Sequence, residues 1–269
     1  MPPHLDAARI ALLAVAALLA GGINAVAGGG SLVSFPALLL VGYPALTANV
    51  TNSVALLTGY LGGTVGYRRE LRGQESRMVR LGVISVGGAV LGAFLLLRGP
   101  ASVFQRLVPF LILGACALLA AQPWIARRVG ARAAVREAEA AAGTRRHGRL
   151  RWGEIPLTLV VAQFVSAIYG AYFGGGLGVI VLAVLGIYIH DSLQRINALK
   201  GLLSLIVNLV AVLYFIAFGN VAWAAVAVMA PISYAGGLLG VKVARRLDDR
   251  VLRAVVVTYG VAVGVRLLF

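Results

Sequence analysis

One lysine inside a long apolar segment is the residue of this chain best suited to bind a charged ligand. Lys200 lies about 12 Å along the segment that starts at Ser192, counting 1.5 Å per helical residue. In a membrane-spanning helix, a lysine at that depth costs on the order of 3 kcal/mol or more and marks a functional site by default. The alternative interpretation is that its long stem carries the ammonium to the membrane surface.

The polar neighbours of Lys200 have counterparts in the first half of the chain. Asn52 stands eight residues after Pro44, as Lys200 stands eight after Ser192, which predicts that the two residues occupy mirrored depths. The polar residues beside them are Thr51, Ser53, Asn197, Ser204 and Asn208. For each of these alone, a hydrogen bond between helices is the simpler role.

The acidic and histidine residues are absent from the interiors of the apolar runs. The nine Asp and Glu residues and the three His residues lie in polar segments or at the ends of runs, and the chain has a single cysteine, Cys116. A buried carboxylate relay, a carboxylate cation site and a histidine-based metal or hydrolase site therefore have no residues to use. The sequence predicts no cofactor, no metal and no enzymatic activity, and it favours a negative ligand for Lys200.

Two glycine triplets mark breaks in the apolar runs. Residues 28–30 and 174–176 each follow a full-length apolar run and precede a run of about a dozen residues, which is too short to span a membrane. A backbone break at membrane depth is tolerated only against protein or a water-filled cavity. The short helices starting at Ser31 and Leu177 would direct N–H groups and positive dipole ends into that cavity, which suits an anion. Close helix packing is the other interpretation.

The composition defines the environment of these residues. Hydrophobic residues make up 60% of the 269 residues and charged residues 12%, which is typical of a membrane protein. The formal charge of +15 is concentrated in short segments between apolar runs, the pattern of cytoplasmic loops beside an anionic leaflet. The lipid bilayer is therefore a predicted partner and nucleic acid is not.

The apolar runs form two similar series. The first series comprises residues 7–27, 31–41, 44–66, 78–97 and 106–125, and the second comprises residues 153–173, 177–188, 192–218, 221–243 and 251–268. Each half therefore contains a glycine-broken helix followed by three membrane-spanning helices. We predict a first transmembrane repeat over residues 1–125, a basic cytoplasmic linker over 126–152 and a second repeat over 153–269.

Arginine-rich segments predict the orientation of these repeats. Residues 67–77 contain four arginines, residues 126–152 contain eight, and Arg245, Arg246, Arg250 and Arg253 precede the last run. All three segments can face the cytoplasm only if each broken helix is re-entrant and returns to its own side. Each half then crosses three times, so the fold class predicted is an all-α polytopic membrane protein of two inverted repeats, with its N-terminus outside. Such repeats point to a secondary transporter.

The motifs around both triplets resemble a known family. The run from Asn24 through Gly28-Gly29-Gly30-Ser31 to Pro36, followed by Thr51-Asn52, is similar to the first-repeat signature of the sulfite exporter TauE/SafE family. Gly174-Gly175-Gly176 followed by Asn197-Ala-Leu-Lys200 is similar to its second repeat. The second repeat lacks the proline and the Thr-Asn pair of the first, so the site would be asymmetric.

The resemblance implies a bacterial cytoplasmic-membrane permease for sulfite, sulfonates or related small organic anions. The residues predicted to bind substrate are Asn24, Gly28, Gly29, Gly30, Ser31, Thr51, Asn52, Gly174, Gly175, Gly176, Asn197, Lys200 and Ser204. The alternative function is a membrane-embedded scaffold without transport, in which the glycines pack helices and Lys200 pairs with a partner's acidic residue. The anion, the direction, the coupling ion and the oligomeric state stay open, with a homodimer as one assembly.

Overall fold

The computed structural model describes residues 3, 5–26, 28–141, 156–189, 191–243 and 249–268, and these residues form helices without any strand. The helices are α1 (Ala7–Val26), α2 (Ser31–Val41), α3 (Ala45–Gly66), α4 (Glu75–Arg98), α5 (Ala101–Ala141), α6 (Leu157–Tyr172), α7 (Leu177–Tyr188), α8 (Leu193–Phe218), α9 (Trp223–Val243) and α10 (Asp249–Arg266).

The helices form where the apolar runs predict them. The short helices α2 and α7 begin and end at the predicted residues, and the others start or stop a few residues away. The largest difference is α5, which continues to Ala141, into the segment predicted as a linker, because alanine and arginine are strong helix formers. Residues 142–152 of that segment, and Arg245 and Arg246, lie outside the described residues.

Within the described residues, five helices are long and apolar enough to cross a membrane. These spans are Ala7–Ala25, Glu75–Arg98, Ala101–Ala131, Leu193–Phe218 and Trp223–Gly240. Helix α3 is long enough but less apolar, since it carries threonine, asparagine and glycine on buried faces. A helix surrounded by other helices does not need the apolar outer surface that lipid requires. The chain is thus a multi-pass helical membrane protein.

Helices α1 and α9 run in the same direction and in backbone contact. A Cβ built on Gly236 would overlap the carbonyl of Leu18, and one built on Gly240 would overlap Gly22. The residue numbers rise together along both helices, which establishes the parallel direction. Small residues at such a contact bring the two backbones close enough for extensive van der Waals packing.

Helices α4 and α6 pack in the same manner, again across the two halves. Gln163 Nε2 donates to Ser85 Oγ at 2.9 Å, and a Cβ built on Gly92 would overlap the carbonyl of Ile168. These numbers also rise together, so α4 and α6 are parallel. The first helix of each half therefore packs along the fourth helix of the other half.

Helix α3 is antiparallel to α8. Asn208 Nδ2 donates to the carbonyl of Ser53 at 3.2 Å, whereas Gly201 lies beside Thr64. The residue numbers of α8 therefore fall as those of α3 rise. Short turns join α3 to α4 and α8 to α9, so each of those pairs is antiparallel as well. It follows that α1, α3 and α9 point one way and α4, α6 and α8 point the other way.

An ion-pair network joins the loop after α3 and the first turn of α4 to the start of α8. Asp191 Oδ2 lies 2.6 Å from Arg77 Nη1, and Asp191 Oδ1 lies 2.8 Å from Arg195 Nε. Arg195 Nη1 also donates to the carbonyl of Arg72 at 3.0 Å, and the buried Gln74 donates through Nε2 to the carbonyl of Arg195 at 3.1 Å. The network holds an arginine-rich loop of the first half against the second half.

This network predicts an acid-sensitive contribution to stability. Burial raises the pKa of the Asp191 carboxyl, but hydrogen bonds from Arg195 and Arg77 outweigh it and hold the pKa below its usual value. A carboxyl whose pKa is lowered in the folded state stabilises the fold at pH values above its unfolded pKa of about 4. This stabilisation is lost as the pH falls through the folded pKa. Asp191→Asn should therefore lower the unfolding temperature at pH 7 by an amount equivalent to about 1–3 kcal/mol, and the difference should shrink below about pH 4.

Thermal unfolding of detergent-purified protein measures this difference. Asp6→Asn serves as the control, because Asp6 forms an exposed pair with Arg9 at 3.9 Å and such pairs contribute little. Equal effects of the two substitutions, or an Asp191→Asn difference that does not change with acidification, would contradict the prediction.

Candidate functional site

The first broken helix is a hairpin of α1 and α2, termed hairpin 1 (residues 7–41). Gly28 has φ +80°, which an L side chain rarely adopts, and the N–H of Gly30 donates to Asn24 Oδ1 at 2.8 Å. A Cβ on Gly30 would overlap the carbonyl of Ala20, so α2 starts directly against α1. Asn24 thus satisfies a backbone donor that the break exposes.

The second broken helix is a hairpin of α6 and α7, termed hairpin 2 (residues 157–188). Gly174 and Gly176 have φ +80° and +74°, and the hydroxyl of Tyr169 donates to the carbonyl of Gly175 at 2.6 Å. Asn49 of α3 donates through Nδ2 to the carbonyl of Tyr172 at 3.0 Å. In this hairpin the side chains satisfy backbone acceptors, whereas in hairpin 1 Asn24 satisfies a donor and Ser34 Oγ donates to the carbonyl of Gly30 at 3.3 Å.

The two hairpins meet each other and a common face of α5. A Cβ on Gly28 would overlap the backbone of Gly178 in α7. On α5, Leu119 lies 3.2 Å from the position of a Cβ on Gly29, and Leu118 lies 3.5 Å from that of Gly176. The sequence-predicted triplets are therefore neighbours across the two halves.

Lys200 lies at the depth of the break in hairpin 1. Its side chain is buried, with 2% of the residue exposed. A Cβ on Gly63 would lie 3.2 Å from Cβ of Ala25, and the next residue, Thr64, lies 4.0 Å from the position of a Cβ on Gly201. Helices α1 and α3 are parallel to each other and antiparallel to α8, so these two contacts lie at one depth in the bundle. Asn24 precedes Ala25 and Lys200 precedes Gly201, so Asn24 and Lys200 share that depth.

Two hydrogen-bonding groups near this level have no partner among the described residues. Asn24 Nδ2 and Ser204 Oγ are both buried atoms, and their residues are 5% and 2% exposed. Ser204 stands one helical turn beyond Lys200. Together with the ammonium, these side chains supply an N–H₂, an O–H and a positive charge. Such a set can bind the oxygen atoms of an anion.

The other predicted residues occupy a second level. Asn52 Oδ1 accepts a hydrogen bond from Ser34 Oγ at 2.5 Å, and Thr51 Oγ1 accepts one from the N–H of Ala222 at 3.0 Å. Their neighbour Ser53 contacts Asn208, eight residues from Lys200, which corresponds to about 12 Å along the helix. Asn52 and Lys200 are therefore separated by about 12 Å along the bundle, each nearer to the start of its own helix, and Thr51 connects α3 to the start of α9.

The remaining predicted residues lie next to Lys200 or at the hairpin breaks. Asn197 is half-buried and stands one turn before Lys200, and Ser31 is the buried first residue of α2. The N–H groups of Leu32 and Leu177 donate to the carbonyls of Gly29 and Gly174. Part of each helix N-terminus is thus engaged within its own first turn.

Sequence reasoning missed two residues of this region. Tyr169 locks the triplet of hairpin 2, and Gln122 lies buried on the α5 face that contacts both triplets. Gln122 carried a signal, since it is the one amide in the predicted run 106–125. Tyr169 carried none, because a tyrosine near the end of a membrane helix is also typical of the lipid interface.

The fold and this buried polar region define a polytopic helical membrane protein, and comparison with known proteins identifies its family. Residues 13–267 match the family model described as "Sulfite exporter TauE/SafE". The chain belongs to that family, as the motifs around the triplets indicated, and it is a membrane transporter.

Several curated relatives span nearly the whole chain. A "Probable membrane transporter protein ORF9" of a Sinorhizobium species is 28% identical over 96% of this chain and 92% of its own length. A "Probable membrane transporter protein" of Haemophilus influenzae is 26% identical over 92% and 90% of the two chains. "Probable membrane transporter protein YfcA" of Escherichia coli K12 is 24% identical over 97% and 90%. No solved structure matches the chain.

Two glycines with the same backbone conformation allow the contact between hairpins to be tested. Gly28 and Gly174 both have φ +80°, so alanine at either position should cost about 1–2 kcal/mol through strain. A Cβ at Gly28 would also overlap the backbone of Gly178, whereas at Gly174 it would lie 3.1 Å from the carbonyl of Gly170. Gly28→Ala should therefore lower the free energy of unfolding by a further 1–3 kcal/mol or so, and it should lower the unfolding temperature more than Gly174→Ala does. Equal losses for the two variants would show that the hairpins do not meet at Gly28.

Proposed function

We propose that the protein is a secondary transporter that moves sulfite, a sulfonate or a related small organic anion across the bacterial cytoplasmic membrane by alternating access. The anion binds near the membrane midplane, between the broken helices and Lys200. Membership in a transporter family favours this function over a membrane-embedded scaffold. The observation that carries the proposed site is the burial of Lys200 at the level of the break in hairpin 1.

The directions of the helices support two inverted repeats. Helix α1 is parallel to α9 and antiparallel to α6, and α3 is antiparallel to its counterpart α8. The packing of α1 on α9 recurs as the packing of α6 on α4, with each helix replaced by its counterpart in the other half. Two units of opposite topology give one protein two related conformations, open to opposite sides, which is the basis of alternating access.

The chemistry around Lys200 supports a negative substrate. The helices α1, α2, α3, α6, α7 and α8 contain no Asp or Glu residue. A positive side chain within this group of helices favours an anion in the same space. Asn24 Nδ2 and Ser204 Oγ add hydrogen-bond donors at or near that depth.

Membrane sidedness tests the inverted arrangement. We replace Cys116 with serine and introduce single cysteines at the exposed positions Asp6 and Ala131. Three crossings separate these positions in the proposed topology, so a membrane-impermeant thiol reagent should label Asp6→Cys only from outside and Ala131→Cys only from the cytoplasm. Labelling of both positions from one side would contradict the inverted repeats.

The role of Lys200 predicts a graded series of variants. Lys200→Ala should fold and lose anion affinity by up to about 100-fold, since a charge-assisted hydrogen bond contributes up to about 3 kcal/mol. Lys200→Arg should keep partial activity with altered preference among anions, because its planar group reaches and binds differently. Asn52→Ala should weaken binding much less, by about twofold at most, because Asn52 bonds to Ser34 at a level about 12 Å from Lys200.

Ligand-induced thermal stabilisation and flux in vesicles measure this series, with sulfite, ethanesulfonate and short carboxylates as probes. Asn208→Ala is the control on the same helix, because the amide of Asn208 bonds to the carbonyl of Ser53, away from Lys200. If Lys200→Ala binds and transports every anion as well as the parent protein does, the proposed site is wrong.

A further inference from the structure

Gln122 lies on the face of α5 that contacts both broken helices. Leu118 and Leu119, one turn before it, contact Gly176 of hairpin 2 and Gly29 of hairpin 1. Residues three and four positions apart share one side of a helix, so Gln122 points to the same junction. The residue is 8% exposed, and its Oε1 atom is buried without a hydrogen-bond partner in the described part of the chain.

The helix register gives Gln122 the same depth as Lys200. Leu118 contacts Gly176 and Val129 contacts Gly186, so α5 and α7 run side by side in one direction. Gln122 is then level with residue 180 of α7, two residues from the contact between Gly28 and Gly178. Helix α7 ends at Tyr188 and α8 begins at Leu193 and runs antiparallel to it, so residue 180, eight residues before the end of α7, and Lys200, seven residues into α8, lie at nearly the same depth.

The orphan atom of Gln122 differs in kind from the other groups at this depth. The Lys200 ammonium and Asn24 Nδ2 can only donate hydrogen bonds and Ser204 Oγ can donate one, whereas Gln122 Oε1 can only accept. A buried acceptor without a partner is costly, and a ligand that supplies a donor relieves that cost. A simple oxyanion with no O–H or N–H group satisfies the donors and leaves Gln122 without a partner.

We propose that Gln122 is a specificity-determining residue that accepts a hydrogen bond from the transported anion. The inference rests on the proposed function and deepens it. The site prefers small anions that carry an O–H or N–H group in addition to their anionic oxygens, with Lys200 binding the charge and Gln122 binding the donor. Sites built to bind a substrate donor discriminate against the analogue that lacks it.

A matched pair of ligands isolates this hydrogen bond. Ethanesulfonate and 2-hydroxyethanesulfonate carry the same charge and differ by one hydroxyl group. Calorimetric titration of the full-length protein in detergent should give the hydroxylated anion an affinity about fivefold higher, as expected for one net hydrogen bond. In Gln122→Leu the ratio of the two affinities should fall to about one.

Another buried glutamine provides the control. Gln163 also has a buried Oε1 without a partner among the described residues, but its Nε2 bonds to Ser85 between α4 and α6, and the residue makes no described contact with either triplet. Gln163→Leu should therefore keep the parent ratio. If the parent protein binds the two sulfonates with equal affinity, the proposal is wrong. It is also wrong if Gln122→Leu still prefers the hydroxylated sulfonate.

The outcomes also separate this inference from the proposed function. If both sulfonates bind, Lys200→Ala abolishes their binding and Gln122→Leu leaves the ratio unchanged, only the role of Gln122 is wrong. If no tested anion binds the parent protein, both the anion site and the role of Gln122 fail.

Discussion

A helix that breaks inside a membrane must satisfy its backbone groups from within the protein, and this constraint governs the arrangement of the whole bundle. Hydrocarbon offers no hydrogen bonds, so each unpaired N–H or C=O group costs several kcal/mol or so. In hairpin 1 the side chain of Asn24 accepts the N–H of Gly30. In hairpin 2 the hydroxyl of Tyr169 binds the carbonyl of Gly175, and Asn49 reaches across from α3 to the carbonyl of Tyr172. The breaks are therefore enclosed by the helices whose side chains form these hydrogen bonds.

The two halves share an arrangement of helices but satisfy it with different chemistry. On the arginine-rich side, Asp191 pairs with Arg77 and Arg195 and joins the halves through charges. At the other end of α3, the described polar connections between the halves are neutral hydrogen bonds, from the N–H of Ala222 to Thr51, from Asn49 to the carbonyl of Tyr172 and from Asn208 to the carbonyl of Ser53. Ion pairs depend on the surrounding water and salt more than neutral bonds do. The two ends of the bundle should thus respond differently to ionic strength.

Local patterns made much of this structure predictable. The bounds of α2 and α7 follow from a glycine triplet on one side and a turn on the other, and Lys200 stands out because a charge in an apolar run is costly. Pairings between distant helices were not predictable. Spacing related Asn52 to Lys200 by repeat position, but the hydrogen-bond partner of Asn52, Ser34 of α2, depends on which helix faces it. Gln122 was visible as a lone amide, yet its significance needed the contact of α5 with both triplets.

The close approach of Gly28 to Gly178 bears on how the molecule can move. Side chains between two packed elements can change rotamer and so absorb a small displacement. Two backbones in direct contact have no side chain between them that can adjust in this way. A shift of one hairpin past the other would have to displace the whole neighbouring backbone. The paired hairpins are thus expected to travel together as one rigid body, with the surrounding helices accommodating the change of access.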